Sequence, residues 1–298
     1  MSDCAGHPID LAANKVNLFR AESIKKGDIL ISELLFNPKL GGVDFIEIYN
    51  QRNYPLDLKE LSLSNADLKR VPLSLQTILM PAQSYWVLTR NPEVVKQQYL
   101  VKSPTQFVQM PEFPALNNDK GKIVLWNDQL LIDQVEYVAD MHFPLLKGVK
   151  GVSLERTNFV DIVPRFVSAA AISGYATPTS RNSQAEDLSL VKDQLSLRNK
   201  LFSPDGDGFE ELLYIDYQFK QASKVASINI YTDQGYLVRK LVKNASLGTQ
   251  GNLIWDGLND AGRPANVGIY LIKCQVFDLH GQISNYQMTC VLATKLTN

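Results

Sequence analysis

The chain is poor in the residues that most often mark a reactive site. Three cysteines (Cys4, Cys274, Cys290) and three histidines (His7, His142, His280) are scattered through 298 residues. They show no zinc-type spacing and no disulfide framework. Cys274 and Cys290 flank the turn DLHGQ in positions poorly placed to bond, so buried free thiols are expected. No apolar run reaches the ~18–20 residues of a membrane span. The formal net charge of −1 leaves no basic excess for nucleic acid or an anionic membrane. A nucleophile elbow of the G-x-S-x-G kind and a Gly-rich phosphate loop before a helix are both missing. The opening MSDCAGHPID lacks the charged-then-apolar form of a signal peptide and is expected to be the start of an excised piece with an added Met.

Strand signals are abundant instead. GDILISELLF (27–36), VDFIEIYN (43–50), YWVLT (85–89), GKIVLW (121–126) and LLIDQVEYV (130–138) are short, apolar and bounded by Gly, Pro, Asn and Asp. WNDQ (126–129) reads as a hairpin turn. NPEVVKQQYL is the one good helix start, with Asn91 to cap and Pro92 at the first helical position. The polar stretch 185–195 reads as a linker, after which strands resume with LYIDYQF, ASINIY, YLVRKLV, NLIW, IYLIKCQVF and ISNYQMTCVLA. A spacing of roughly ten residues per strand and turn indicates an all-β sandwich.

GDILISELLFNPKLGGVDFIEIYN, DLKELSLSN, MPAQSYWVLT, KGVSLERTNF and ATPTSRNSQ together resemble bacterial lamin-tail domains over residues 27–184. Departures are Glu60-Leu61, Arg165-Phe166 and Thr179, where that family often has Gly-Trp, Asn-Trp and Gly. FSPDGDGFEE, INIYTDQGYLVRKL and LIWDGLNDAGRPANVGIYLIK resemble the immunoglobulin-like domain of the flagellar hook-capping family over residues 196–298. SDCAGHPI resembles the last strand of an upstream immunoglobulin-like domain, within a segment, 1–26, read as a tail or linker. The resemblances imply two immunoglobulin-like β-sandwiches in tandem, in an extracellular or surface-exposed bacterial protein.

Few residues invite chemistry. Asp205 and Asp207 are spaced like the start of a calcium loop, but an EF-hand register puts Phe209 at position 5, Glu210 at 6 and Asp216 at 12. An oxygen ligand, Gly and Glu are required there, so this is no EF-hand. Two readings stay open: calcium held by Asp205, Asp207 and Glu210, or a plain acidic turn. Glu33 and Glu47 interrupt apolar strand faces, and pairing with Arg156 in a structural ion network is expected over a hydrolytic carboxylate pair. Trp255 is expected as a core anchor, with Asp256 bonding the turn amides. Trp86 and Trp126 read as packing residues ahead of a sugar platform.

The functional expectation is a non-catalytic structural, display or adhesion module, its partner a protein or glycan at the cell surface. The alternatives are the accessory region of an exported nuclease or phosphoesterase, or a carbohydrate-binding module.

Overall fold

Short β-branched and aromatic runs become strands, and the turn residues between them set where each one stops. The computed structural model describes residues 22–161, 163–190 and 192–294; Cys4 and His7 lie outside them. The first sandwich contains β1 (Ile29–Leu35), β2 (Phe45–Asn50), β3 (Leu56–Asp57), β4 (Leu61–Ser64), β5 (Val71–Pro72) and β6 (Leu79–Met80). It continues with β7 (Tyr85–Thr89), β8 (Phe107–Gln109), β9 (Lys120–Asn127), β10 (Leu130–Val138), β11 (Leu154–Arg156) and β12 (Phe166–Ser168). A six-stranded sheet in the order β12-β11-β1-β2-β7-β8 packs on a four-stranded sheet, β10-β9-β4-β5. Ile29, Ile31, Leu34, Ile46, Leu63, Ile123 and Leu125 fill the space between them.

One residue changes the reading of β1. The register against β2 shifts between Ile31 and Glu33, so Ser32 is the extra residue of a β-bulge. Ile31 and Leu34 therefore both reach the main core, while Glu33 and Leu35 turn to the opposite face of the sheet. That outer face is buried as well. Leu35, Phe45 and Val87 pack there under Val95 and Tyr99 of the α1 region (α1, Pro92–Gln98) and under Ala176. The helix starts where Asn91 Oδ1 accepts from the Glu93 amide at 3.2 Å, with Pro92 at its first position.

The second sandwich contains β13 (Gln194–Leu197), β14 (Leu201–Phe202), β15 (Leu213–Gln218), β16 (Lys224–Thr232), β17 (Leu237–Leu247), β18 (Gln250–Trp255), β19 (Gly268–Phe277) and β20 (Ile283–Leu292). A three-stranded sheet, β13-β15-β18, faces a five-stranded one, β14-β20-β19-β16-β17. Trp255 is fully buried between Phe202 and Tyr270, and its Nε1 donates to the Leu258 carbonyl at 2.9 Å. Asp256 Oδ1 accepts from the Leu258 amide. Gly257 follows at φ +75°, where a Cβ would lie 2.8 Å from Pro204. Cys274 and Cys290 are buried and free, in register with Tyr286 and Tyr270 respectively, and burial pushes both thiols up to about 12. The fold is all-β, with sandwiches in tandem.

The chain between the sandwiches is anchored on both sides. Gln184 and Ala185 are buried. Gln184 Nε2 donates to Leu247 O and its Oε1 accepts from the Ser223 amide, while Thr249 donates from its amide to Ser183 O and from Oγ1 to Ala185 O. Gly248 makes this approach possible, since a Cβ there would sit 2.5 Å from the Ser183 carbonyl oxygen.

Candidate functional site

Three glutamates stand side by side on the outer face of the six-stranded sheet. Glu33 on β1 is the register partner of both Glu47 on β2 and Glu155 on β11, and all three have no solvent exposure. Directly opposed cross-strand side chains are neighbours, and like charges there destabilise. Among the described residues none of the three is in an ion pair; their partners are the hydroxyls of Ser32 and Ser153 and hydroxyls and amides of the segment 175–184, which runs across them. Glu33 Oε1 accepts from Ser153 Oγ and from the Thr177 amide at 2.9 Å. Glu155 accepts from Thr177 Oγ1, Ser183 Oγ and the Gln184 amide at 2.7–2.8 Å. Glu47 Oε2 accepts from the Thr179 amide at 2.6 Å.

The hydroxyls cannot satisfy every acceptor around them. Each carries one proton. Thr177 Oγ1 lies between Glu155 Oε1 at 2.7 Å and Glu33 Oε2 at 3.3 Å. Ser32 Oγ lies between Glu47 Oε1 at 3.1 Å and Asn182 Oδ1 at 2.9 Å, and Ser153 Oγ between Glu33 and the Tyr175 carbonyl. A proton on Glu47 would complete the pattern, donating to Ser32 and freeing Ser32 to donate to Asn182. The electrostatics agree. Burial, reinforced by the Glu155 charge, pushes Glu33 up to about 8. Burial and then the Glu33 charge hold Glu47 well above the usual carboxylate range, and burial raises Glu155 against its hydrogen bonds. Asn182 ties the same segment down, donating to Ser32 O and Arg156 O at 2.9 Å.

Arg156 does not join this cluster, contrary to the expected pairing with Glu33 or Glu47. Successive strand residues point to opposite faces, so Glu155, not Arg156, comes into register with Glu33. The Arg156 guanidinium pairs with Asp133 and donates from Nε to Ile31 O at 2.7 Å. Asp133 in turn accepts from the Ile31 amide, so this pair clamps β1 where it bulges. Glu155 was the residue missed; its signal was its place beside Arg156 in the LER strand.

The acidic loop also differs in one residue. The carboxylates whose oxygens lie within 4.8 Å of one another are Asp205, Asp207 and Glu211, in place of Glu210. Glu210 adopts φ +50° and its carbonyl accepts from the Ser203 amide. Glu211 reaches back to the amides of Gly206 at 3.0 Å and Gly208 at 2.8 Å. Asp207 Oδ1 accepts from the Phe209 amide, and Asp205 Oδ1 from the Asp207 amide. This is an exposed loop organised by its own amides.

The remaining candidates are dispersed. His142 is buried, with Nδ1 2.9 Å from Ser168 Oγ, and burial lowers it to about 4; His280 is exposed in a turn. Trp86 packs against the main core, whereas Trp126 lies under Arg70 and donates to Ser64, so the two form no joint platform.

No curated protein sequence matches the chain. Among solved structures it is similar to CopC from Methylosinus trichosporium OB3b, at 17% identity over 35% of this chain and 99% of that one, with a TM-score of 0.24. It is also similar to dimeric latent PorU from Porphyromonas gingivalis (12% identity, 90% of this chain, TM-score 0.28) and spans 20% of that protein. PorZ, a surface component of the type-IX secretion system of the same organism, gives 10% identity over 87% of this chain and 38% of PorZ, with a TM-score of 0.27. The lamin tail domain family model matches residues 22–139, and β11 and β12 beyond that match complete the same sheet. Over residues 22–139 the first sandwich is similar to lamin tail domains.

Proposed function

We propose that the chain is a non-catalytic structural, display or adhesion module of a larger exported bacterial surface protein. One observation carries the reading. The segment 175–186 is bonded to the buried glutamates of the first sandwich and to β17 and the residues after it in the second, a joint suited to holding two domains at fixed spacing. The buried glutamates Glu33, Glu47 and Glu155 are sealed beneath this segment, where they organise packing. The likeness of residues 196–298 to hook-capping immunoglobulin-like domains supports the same reading.

Rigid spacing is measurable. With Cys4 replaced by Ser, spin labels at Lys59→Cys and Lys240→Cys are expected to give one narrow distance distribution. Gly248→Ala forces its new methyl against the Ser183 carbonyl and is expected to broaden it. A broad distribution in the parent chain contradicts the spacer role. Turnover of phosphodiester or nitrophenyl ester substrates by the purified chain would instead favour a hydrolytic role.

A further inference from the structure

A cleft of about 890 Å³ opens between the two sandwiches. Lys39, Lys147 and Lys150 line it from the first sandwich and Lys243 from the second, with no aspartate or glutamate among the lining residues. Among the described residues none of these four lysines is in an ion pair. Lys39 is held in place, its Nζ donating to Gln98 O at 3.2 Å and lying 4.3 Å from the centre of the Tyr99 ring. Lys147, Lys150 and Lys243 are exposed. Lys243 owes its position to an irregularity: the register of β16 against β17 shifts between Ala226 and Ile228, and Asn244 beside it adopts φ +46°.

A chain of net charge −1 has here gathered positive charge from both domains along a lining that holds no acidic residue. A cleft lined by one sign of charge concentrates ligands of the opposite sign. Lysine ammonium groups are mobile point charges, suited to anionic groups spaced along a chain, whereas arginine forks favour one bidentate contact. Tyr175 and Phe277, both half-buried, line the same cleft and supply aromatic surface for the C–H faces of sugar rings. We propose that this cleft binds an acidic saccharide, one bearing carboxylate or phosphate groups along its length.

The test is calorimetric titration of the whole chain at low salt with oligogalacturonate, a phosphorylated mannan fragment, neutral dextran of similar length and a single-stranded oligonucleotide. At least one acidic saccharide is expected to bind, dextran is not, and added salt is expected to weaken the interaction. Lys147→Gln/Lys150→Gln/Lys243→Gln is expected to weaken binding by about tenfold or more. Lys59→Gln/Lys102→Gln/Lys200→Gln removes the same charge from exposed sites elsewhere and is expected to change it by less than about twofold. Failure of both acidic saccharides to bind overturns the proposal. So does equal loss in the two triple variants, or tighter binding of the oligonucleotide.

Discussion

The protein carries two trios of carboxylates, and they behave as opposites. Glu33, Glu47 and Glu155 are sealed from solvent on adjacent strands, whereas Asp205 and Asp207 are exposed and Glu211 half-buried in a loop. Water screens the second group, whose carboxylates accept from the amides of their own turn. Burial denies the first group that screening and raises all three carboxyls above their ordinary range, while their hydrogen bonds fix the segment above them. The number of carboxyl groups is the same in both places, and environment decides the chemistry.

The largest effect is expected where burial leaves a charge stranded. Arg156→Ala removes the partner of Asp133 and a donor to Ile31 O, and should destabilise the first sandwich by about 3–5 kcal/mol in urea unfolding. A loss under about 1 kcal/mol would mean the pair is solvated.

A matched pair of truncations sharpens the contrast between the trios. Glu155→Ala leaves Thr177, Ser183 and the Gln184 amide without their acceptor and should cost about 2–4 kcal/mol. Glu211→Ala leaves only the amides of Gly206 and Gly208, which water can reach, and should cost under about 1 kcal/mol. Equal losses would erase the distinction.

Stability should also depend on pH in an unusual direction. Glu33 is raised from an ordinary 4.5 to about 8, so between those values the folded state holds more protons than the unfolded one. Stability is then fullest below about pH 4.5 with respect to this group and is lost as pH rises towards 8. Glu47→Gln retains an acceptor for Thr179 and gains a donor towards Ser32, and should flatten the slope. An unchanged slope in unfolding curves collected across this range would place the titration elsewhere.

The smallest effect concerns calcium. The sequence expectation requires millimolar calcium to raise the melting temperature of the second sandwich and Asp205→Asn/Asp207→Asn to abolish the rise. Melting curves identical in calcium and chelator would leave the acidic turn alone.

Much of the fold was legible from local signals. The strand runs, the hairpin at WNDQ and the Asn-Pro start of α1 depend on residues close together in sequence. The cluster was less legible, because one extra residue at Ser32 reverses the facing of Glu33 and leaves no periodic trace. The same limit explains the two adjacent-residue errors. Whether Glu155 or Arg156 meets Glu33 depends on a register set about a hundred residues away. Whether Glu210 or Glu211 closes the acidic loop depends on a left-handed backbone at Glu210. The ATPTSRNSQ segment was recognisable, but its role over the carboxylates required the sheet beneath it.

Proton sharing among the buried glutamates is tested most directly by following the side-chain carboxyl carbons of Glu33, Glu47 and Glu155 by NMR from pH 4 to 9. The account predicts that Glu33 titrates near 8 and Glu47 well above the ordinary carboxylate range. Three glutamates that all titrate near 4.5 would contradict it.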